Sequence, residues 1–193
     1  MAEVLLFHHA QGLTVGVVSF ADQLRTAGHV VHTPDLFEGK TFAKLSDGVA
    51  YAEQAGFKTI IQRGERAAES LPNDLVYAGF SLGVLPAQKL AQTRSGAKGA
   101  LLFSATIPLS QFGPWPPDVP VQIHMMDSDS WVKEEDLPAA RRLVETVKHA
   151  ELFLYPGDRH LFADSSLPDY DERAATLLKQ RVLSFLKTID HPR

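Results

Sequence analysis

The pentapeptide Gly79-Phe80-Ser81-Leu82-Gly83 follows the apolar run Leu75-Val76-Tyr77-Ala78 and precedes a stretch of helical spacing that begins near Val84. A serine held between small residues at a strand-to-helix turn suits nucleophilic attack. The turn is tight enough for Oγ to project above the sheet, and the amides at the helix N-terminus favour the negative charge that develops. The pattern alone arises by chance in a chain with 13 glycines, so its placement between strand and helix gives it its meaning. Pro86 falls in the first helical turn, where a missing N–H costs little.

A serine hydroxyl is nearly inert until a base takes its proton, and histidine is the side chain suited to that duty near neutrality. The base is expected in the loop after the last strand, where Tyr155-Pro156-Gly157-Asp158-Arg159-His160-Leu161-Phe162 places His160. His29, His32, His149 and His191 have surface or strand roles open to them, and His124 lies within a strand. A carboxylate that holds the histidine should lie between serine and histidine in the chain, after the fifth strand. Met126-Asp127-Ser128-Asp129-Ser130-Trp131 offers two. Asp129 ranks ahead of Asp127, which also suits a turn or cap; Asp158 is a further candidate that more naturally shapes its own loop. Attack on a carbonyl also requires preorganised donors for the oxyanion. The Leu82 amide is one, and His8-His9-Ala10-Gln11-Gly12 supplies a second from Ala10 or Gln11, with Gly12 permitting the sharp turn. His8 and His9, as neighbours on a strand, point to opposite faces and are poorly placed to chelate one ion; no metal is expected.

These residues need a parallel sheet whose loops gather at one edge. Short apolar runs alternate with segments of helical spacing, the pattern of βα units. Six runs read as strands: Val4–His8, His29–Thr33, Asp74–Ala78, Ala100–Ser104, Val121–Met125 and Glu151–Tyr155. Several are almost continuously hydrophobic, as a sheet covered on both faces requires. Thr14 caps a helix with the stripe Val17, Phe20, Ala21 and Leu24, closed by Gly28. Gly56 divides Leu45–Leu71 into two helices, Asp136 and Pro138 open one running through Lys148, and Ala174 to Ile189 marks the last. Ala105–Pro120, with five prolines and Trp115, reads as a loop. The expectation is one α/β domain over 1–193, three-layered, with about six mainly parallel strands and helices on both faces.

Composition narrows the partners. The net charge of −4 and the scattered Lys and Arg offer no footprint for nucleic acid. No run approaches the roughly 20 apolar residues that span a bilayer, and Val4–Phe7 is too short for a signal-peptide core. With no cysteine, a thiolate nucleophile and a disulfide are excluded. A cytoplasmic, small-molecule setting is expected, and no cofactor is called for.

The chain resembles the dienelactone hydrolase family, within the α/β-hydrolases, over nearly its whole length. Leu5–Gly12, Thr33-Pro34-Asp35-Leu36-Phe37, the turn around Ser81, and Tyr155–Phe162 with its Pro-Gly-x-x-His-x-Phe pattern carry the likeness. The resemblance implies Ser81, Asp129 and His160 as a triad, because the family's acid lies three residues before a valine, here Val132. It also implies Ala10 as the second oxyanion donor, and hydrolysis of an ester or lactone. Three positions depart from the enzymes of the family that open dienelactone. A glutamate near the oxyanion strand is here His9, and an arginine four residues after the histidine is here Asp164, which should repel a substrate carboxylate. Serine replaces the cysteine of the enzymes that open dienelactone. Thioester cleavage would use the same groups, and a non-catalytic binding module on this fold is the contrasting expectation. For the substrate pocket, walls are expected from 37–42 and 105–117, with His9, Gln11, Phe37 and Trp115 as contacts and Phe112 and Trp131 as further apolar candidates.

Overall fold

The structure, a computed structural model, describes residues 1–190. Six strands, β1 (Glu3–Phe7), β2 (Val30–His32), β3 (Val76–Phe80), β4 (Gly99–Phe103), β5 (Val121–Met126) and β6 (Ala150–Tyr155), form one sheet of order β2-β1-β3-β4-β5-β6. All pairings are parallel. The chain steps outward from β1 to β2, then returns past β1 and proceeds the other way. Right-handed crossovers therefore place helices on opposite faces for the two directions.

That division is visible in the core. Leu5, Phe7, Tyr77 and Leu102 face one cluster, built with α2 (Leu45–Ala55), α3 (Phe57–Glu69), α4 (Val84–Thr93) and α5 (Asp136–Thr146). Val4, Leu6, Val76, Ala78 and Leu101 face the other, built with α1 (Val15–Thr26) and α6 (Glu172–Asp190). Alternating strand residues thus feed two apolar layers, the requirement of a sheet covered on both sides.

Local chemistry sets the helix limits. Thr14 Oγ1 accepts the Val17 amide at the start of α1. Gly56, at φ +85°, separates α2 from α3. The helix expected through Lys148 ends at Thr146. The third strand is displaced from the expected Asp74–Ala78: it runs to Phe80, pairing Gly79 with Phe7 and Phe80 with Phe103. A side chain at Gly79 would collide with the backbone of Gly83 and Val84, so this glycine marks close approach of the following turn rather than the end of the strand.

Between β1 and β3, where the chain changes direction, the loops after the two strands diverge to opposite faces and leave a crevice. Ser81 and Ala10 both stand there.

Candidate active site

Ser81 takes φ +47°, in the left-handed region, and opens a short 3₁₀ turn, Ser81–Gly83, that leads into α4. The turn survives because its neighbours are glycines. A Cβ on Gly83 would lie 2.5 Å from the Phe7 oxygen and 2.6 Å from that of His8, so only glycine lets the turn sit against the end of β1.

The Ser81 Oγ donates to His160 Nε2 at 2.7 Å. On the far side of the ring, Nδ1–H donates to Asp129 Oδ2 at 2.7 Å. Asp129 is 1% exposed and His160 6%. Asp129 Oδ1 accepts the Trp131 amide at 2.9 Å, so the carboxylate also folds its own loop. The His160 backbone is fixed from β4, because Ser104, at φ +58°, donates its hydroxyl to the His160 oxygen at 2.6 Å. Asp127 is elsewhere: its exposed carboxylate accepts Ser128 Oγ and the Gly157 amide, holding two loops together. Asp158 is exposed on its turn.

The loop after β1 is prepared with equal care. The Leu36 amide donates to His8 Nε2 at 2.9 Å, so the proton sits on Nδ1, which donates to the His9 oxygen at 2.7 Å. Burial pushes His8 down to about 4 and keeps this neutral tautomer. The His9 oxygen also accepts the Gly12 amide at 3.0 Å. In a trans peptide N–H and C=O point opposite ways, so these two donors aim the Ala10 N–H away from themselves. Among the described residues the Ala10 amide has no acceptor, whereas the Gln11 amide is committed to His9 Nδ1 at 3.2 Å.

A profile of the dienelactone hydrolase family matches residues 1–190. The chain belongs to that family. Its six-stranded parallel sheet with helices on both faces is the α/β-hydrolase fold, and solved structures share it. A dienelactone hydrolase-like promiscuous phosphotriesterase from metagenomic libraries superposes with TM-score 0.73 at 18% identity, over 98% of this chain and 87% of that one. A candidate dienelactone hydrolase from Klebsiella pneumoniae gives 0.72 at 16%, over 97% and 87%. An esterase, PE8, gives 0.66 at 18%, over 97% and 92%. No curated protein sequence matches.

Four residues expected to contact substrate in this dienelactone hydrolase family member are otherwise engaged. His9 is fully buried and donates from Nε2 to Asp164 Oδ2 at 2.7 Å. Gln11 Nε2 donates to the Phe42 and Ala43 oxygens, tying the β1 loop to the start of α2. Phe37 is fully buried against His8, Phe42 and Tyr51. Trp115 donates to the Val119 oxygen within the core; its loop is tied through Gly113 to Gln92, about 13 Å along α4 from Gly83 at 1.5 Å per residue. Of the aromatic candidates, Trp131 is the one whose ring neighbours His160, at 5.7 Å between centroids.

Asp164 corrects a further expectation. It is 3% exposed and accepts His9 Nε2, Thr14 Oγ1, and the Ser166 amide and hydroxyl, so it is turned inward and does not face a substrate carboxylate. Two of the departures, His9 and Asp164, are therefore one contact. Burial opposes the Asp164 charge, but bonds from His9, Ser166 and Thr14 outweigh it and hold the carboxyl down at about 2. Sequence reasoning missed Ser104 and the inward turn of Asp164; no local pattern signals either. His191 lies outside the described residues. Among the described residues, no group of three His, Asp or Glu side chains is placed to hold a metal ion, and no helix is long and apolar enough to cross a membrane.

Proposed function

We propose that this hydrolase cleaves an ester or lactone through an acyl-Ser81 intermediate. His160 takes the Ser81 proton as Oγ attacks the carbonyl carbon, and Asp129 holds the ring in the required tautomer and stabilises the imidazolium. The oxyanion is met by the amides of Leu82 and Ala10. Collapse breaks the bond to the leaving oxygen, which takes the proton from His160 Nε2; water, deprotonated by the same nitrogen, then releases the acid. The carbonyl supplies its own electrophilicity, so the scheme needs no cofactor. The cytoplasmic setting expected of the cysteine-free sequence belongs to this reading.

The observation that carries it is the unbroken line Ser81 Oγ, His160 Nε2, His160 Nδ1, Asp129 Oδ2, with 2.7 Å at each hydrogen bond. A binding module that had lost catalysis would be expected to show a gap in that line. The free Ala10 amide beside the turn adds to it. Thioester cleavage would run through the same atoms.

The test is reaction of the purified protein with a small fluorophosphonate, followed by intact mass and peptide mapping. One adduct on Ser81, lost in Ser81→Ala and His160→Ala, is expected. A folded protein that forms no adduct, or a Ser81→Ala variant that still hydrolyses esters, overturns the assignment.

A further inference from the structure

Trp131 is 52% exposed, although most aromatic residues of the chain are packed inside. It is not loosely held. Its amide donates to Asp129 Oδ1 at 2.9 Å, and its indole lies over His160 at 5.7 Å with the planes 36° apart. The same carboxylate that orients the imidazole therefore also fixes the backbone that presents an open aromatic face beside it.

The chemistry of acyl transfer says which part of a substrate that face meets. When the tetrahedral intermediate collapses, the carbon–oxygen bond breaks with its electron pair going to the leaving oxygen, and the proton comes from His160 Nε2. The leaving oxygen must therefore be within hydrogen-bond reach of the imidazole, and the group attached to it departs on the His160 side. The acyl group, bonded to Ser81 Oγ with its oxygen towards the amides, lies away from that side. Trp131 stands where the alcohol portion passes.

From this juxtaposition of an exposed, anchored indole and the imidazole that serves Ser81, we propose that Trp131 is the leaving-group platform and that the preferred substrates are esters of aromatic alcohols. The proposal rests on the triad reading above. Stacking of one aromatic ring is worth about 0.5–1.5 kcal/mol, which corresponds to a factor of roughly 2 to 10.

Phenyl acetate and ethyl acetate separate the two claims, because they form the same acetyl-enzyme and differ only in what leaves. In Trp131→Ala the ratio of kcat/KM for phenyl over ethyl acetate should fall about 5-fold relative to wild type, and Trp131→Phe should restore most of it. Removing a half-exposed ring leaves no internal cavity, and an unchanged circular dichroism spectrum checks the fold. If both esters lose activity equally, Trp131 merely shields the His160–Asp129 contact, and the platform is overturned; an unchanged ratio overturns it as well. Fluorophosphonate labelling of the wild type distinguishes the levels. Labelling of Ser81 with no change in ester ratio rejects the platform alone, whereas absence of labelling rejects the triad and the platform together.

Discussion

Among the described residues, two histidine–aspartate pairs share a short hydrogen bond, and both look catalytic at first sight. His160 Nδ1 meets Asp129 and His9 Nε2 meets Asp164, each at 2.7 Å, and all four side chains are buried or nearly so. What separates them is the second nitrogen of each ring. In His160 it faces the Ser81 hydroxyl across the crevice. In His9 it accepts the Gln11 amide, so the ring is closed on both sides and has nothing to give to a substrate. The aspartates differ in the same sense. Asp129 accepts two bonds, one from the His160 ring; Asp164 accepts four and binds the β1 loop, the α1 cap and the loop of Ser166 into one unit. A side chain at Gly16 would collide with that carboxylate, which shows how closely α1 is drawn onto it. A short His–Asp contact is thus not itself a catalytic device; the proposed role of His160 rests on the nitrogen that it turns to Ser81.

The comparison can be broken experimentally, beginning with the serine hydroxyl that only one pair reaches. Ser81→Ala should reduce kcat on an activated ester by at least about 10⁴-fold with little change in thermal midpoint. Asp129→Asn should cost about 10³ to 10⁴-fold in kcat, because the amide cannot hold the required tautomer. The equivalent change in the other pair, Asp164→Asn, should act on stability. Losing hydrogen bonds to a charged acceptor costs about 1.5–3 kcal/mol, which for a chain of this size lowers the midpoint by roughly 3–12 °C, while kcat/KM falls less than about tenfold. Comparable losses of activity in the two asparagine variants would erase the distinction.

Acid titration sharpens it. The folded-state value of Asp164, about 2, lies below its unfolded value, so its contribution is present above about pH 4 and is lost as pH falls from there through about 2. The shift from 3.8 to about 2 is worth about 2 kcal/mol. Urea unfolding across pH 5 to 2 should show the gap between wild type and Asp164→Asn narrowing in that window. A gap that stays constant would mean the carboxylate stabilises by packing alone. In both proteins stability should already begin to fall below pH 6.5. Burial holds His8 at about 4, and burial, then the nearby Arg181, holds His124 at about 3, so the unfolded chain takes up these protons first. The smallest effect belongs to Asp127→Asn, which should change kcat/KM less than about 2-fold, since its exposed carboxylate joins two turns and touches neither ring.

Much of the frame could be read from the residues, for reasons that differ by position. Six apolar runs, the division at Gly56 and the cap at Thr14 are local signals, and they reappear as strands, a helix break and a cap. The meeting of Ser81, His160 and Asp129 was legible because chain order and sheet order are coupled: loops that follow parallel strands gather at one edge. What could not be read was the direction of side chains in long loops. Phe37 and Trp115 were expected near the substrate, yet the turn closed by Asp35, which accepts the Phe37 amide, and the Trp115–Val119 bond draw both rings into the core. Asp164 was read through its charge alone, whereas its role depends on His9, 155 residues away. Ser104 was invisible because its importance lies in an unusual backbone angle and a contact to a main-chain oxygen.

The order of the strands carries a last consequence, for the protein as it is being made. The Ala10 loop and the Ser81 turn belong to the first half of the chain, and β1, at the N-terminus, is sandwiched between β2 and β3. His160 arrives only after β6, and the loop that bears it is closed by Asp171 at the threshold of α6, whose Ala175 amide returns to the Asp171 oxygen. A growing polypeptide therefore displays its serine long before the proposed base, and on this reading a product cut short ahead of residue 160 carries a serine that nothing activates.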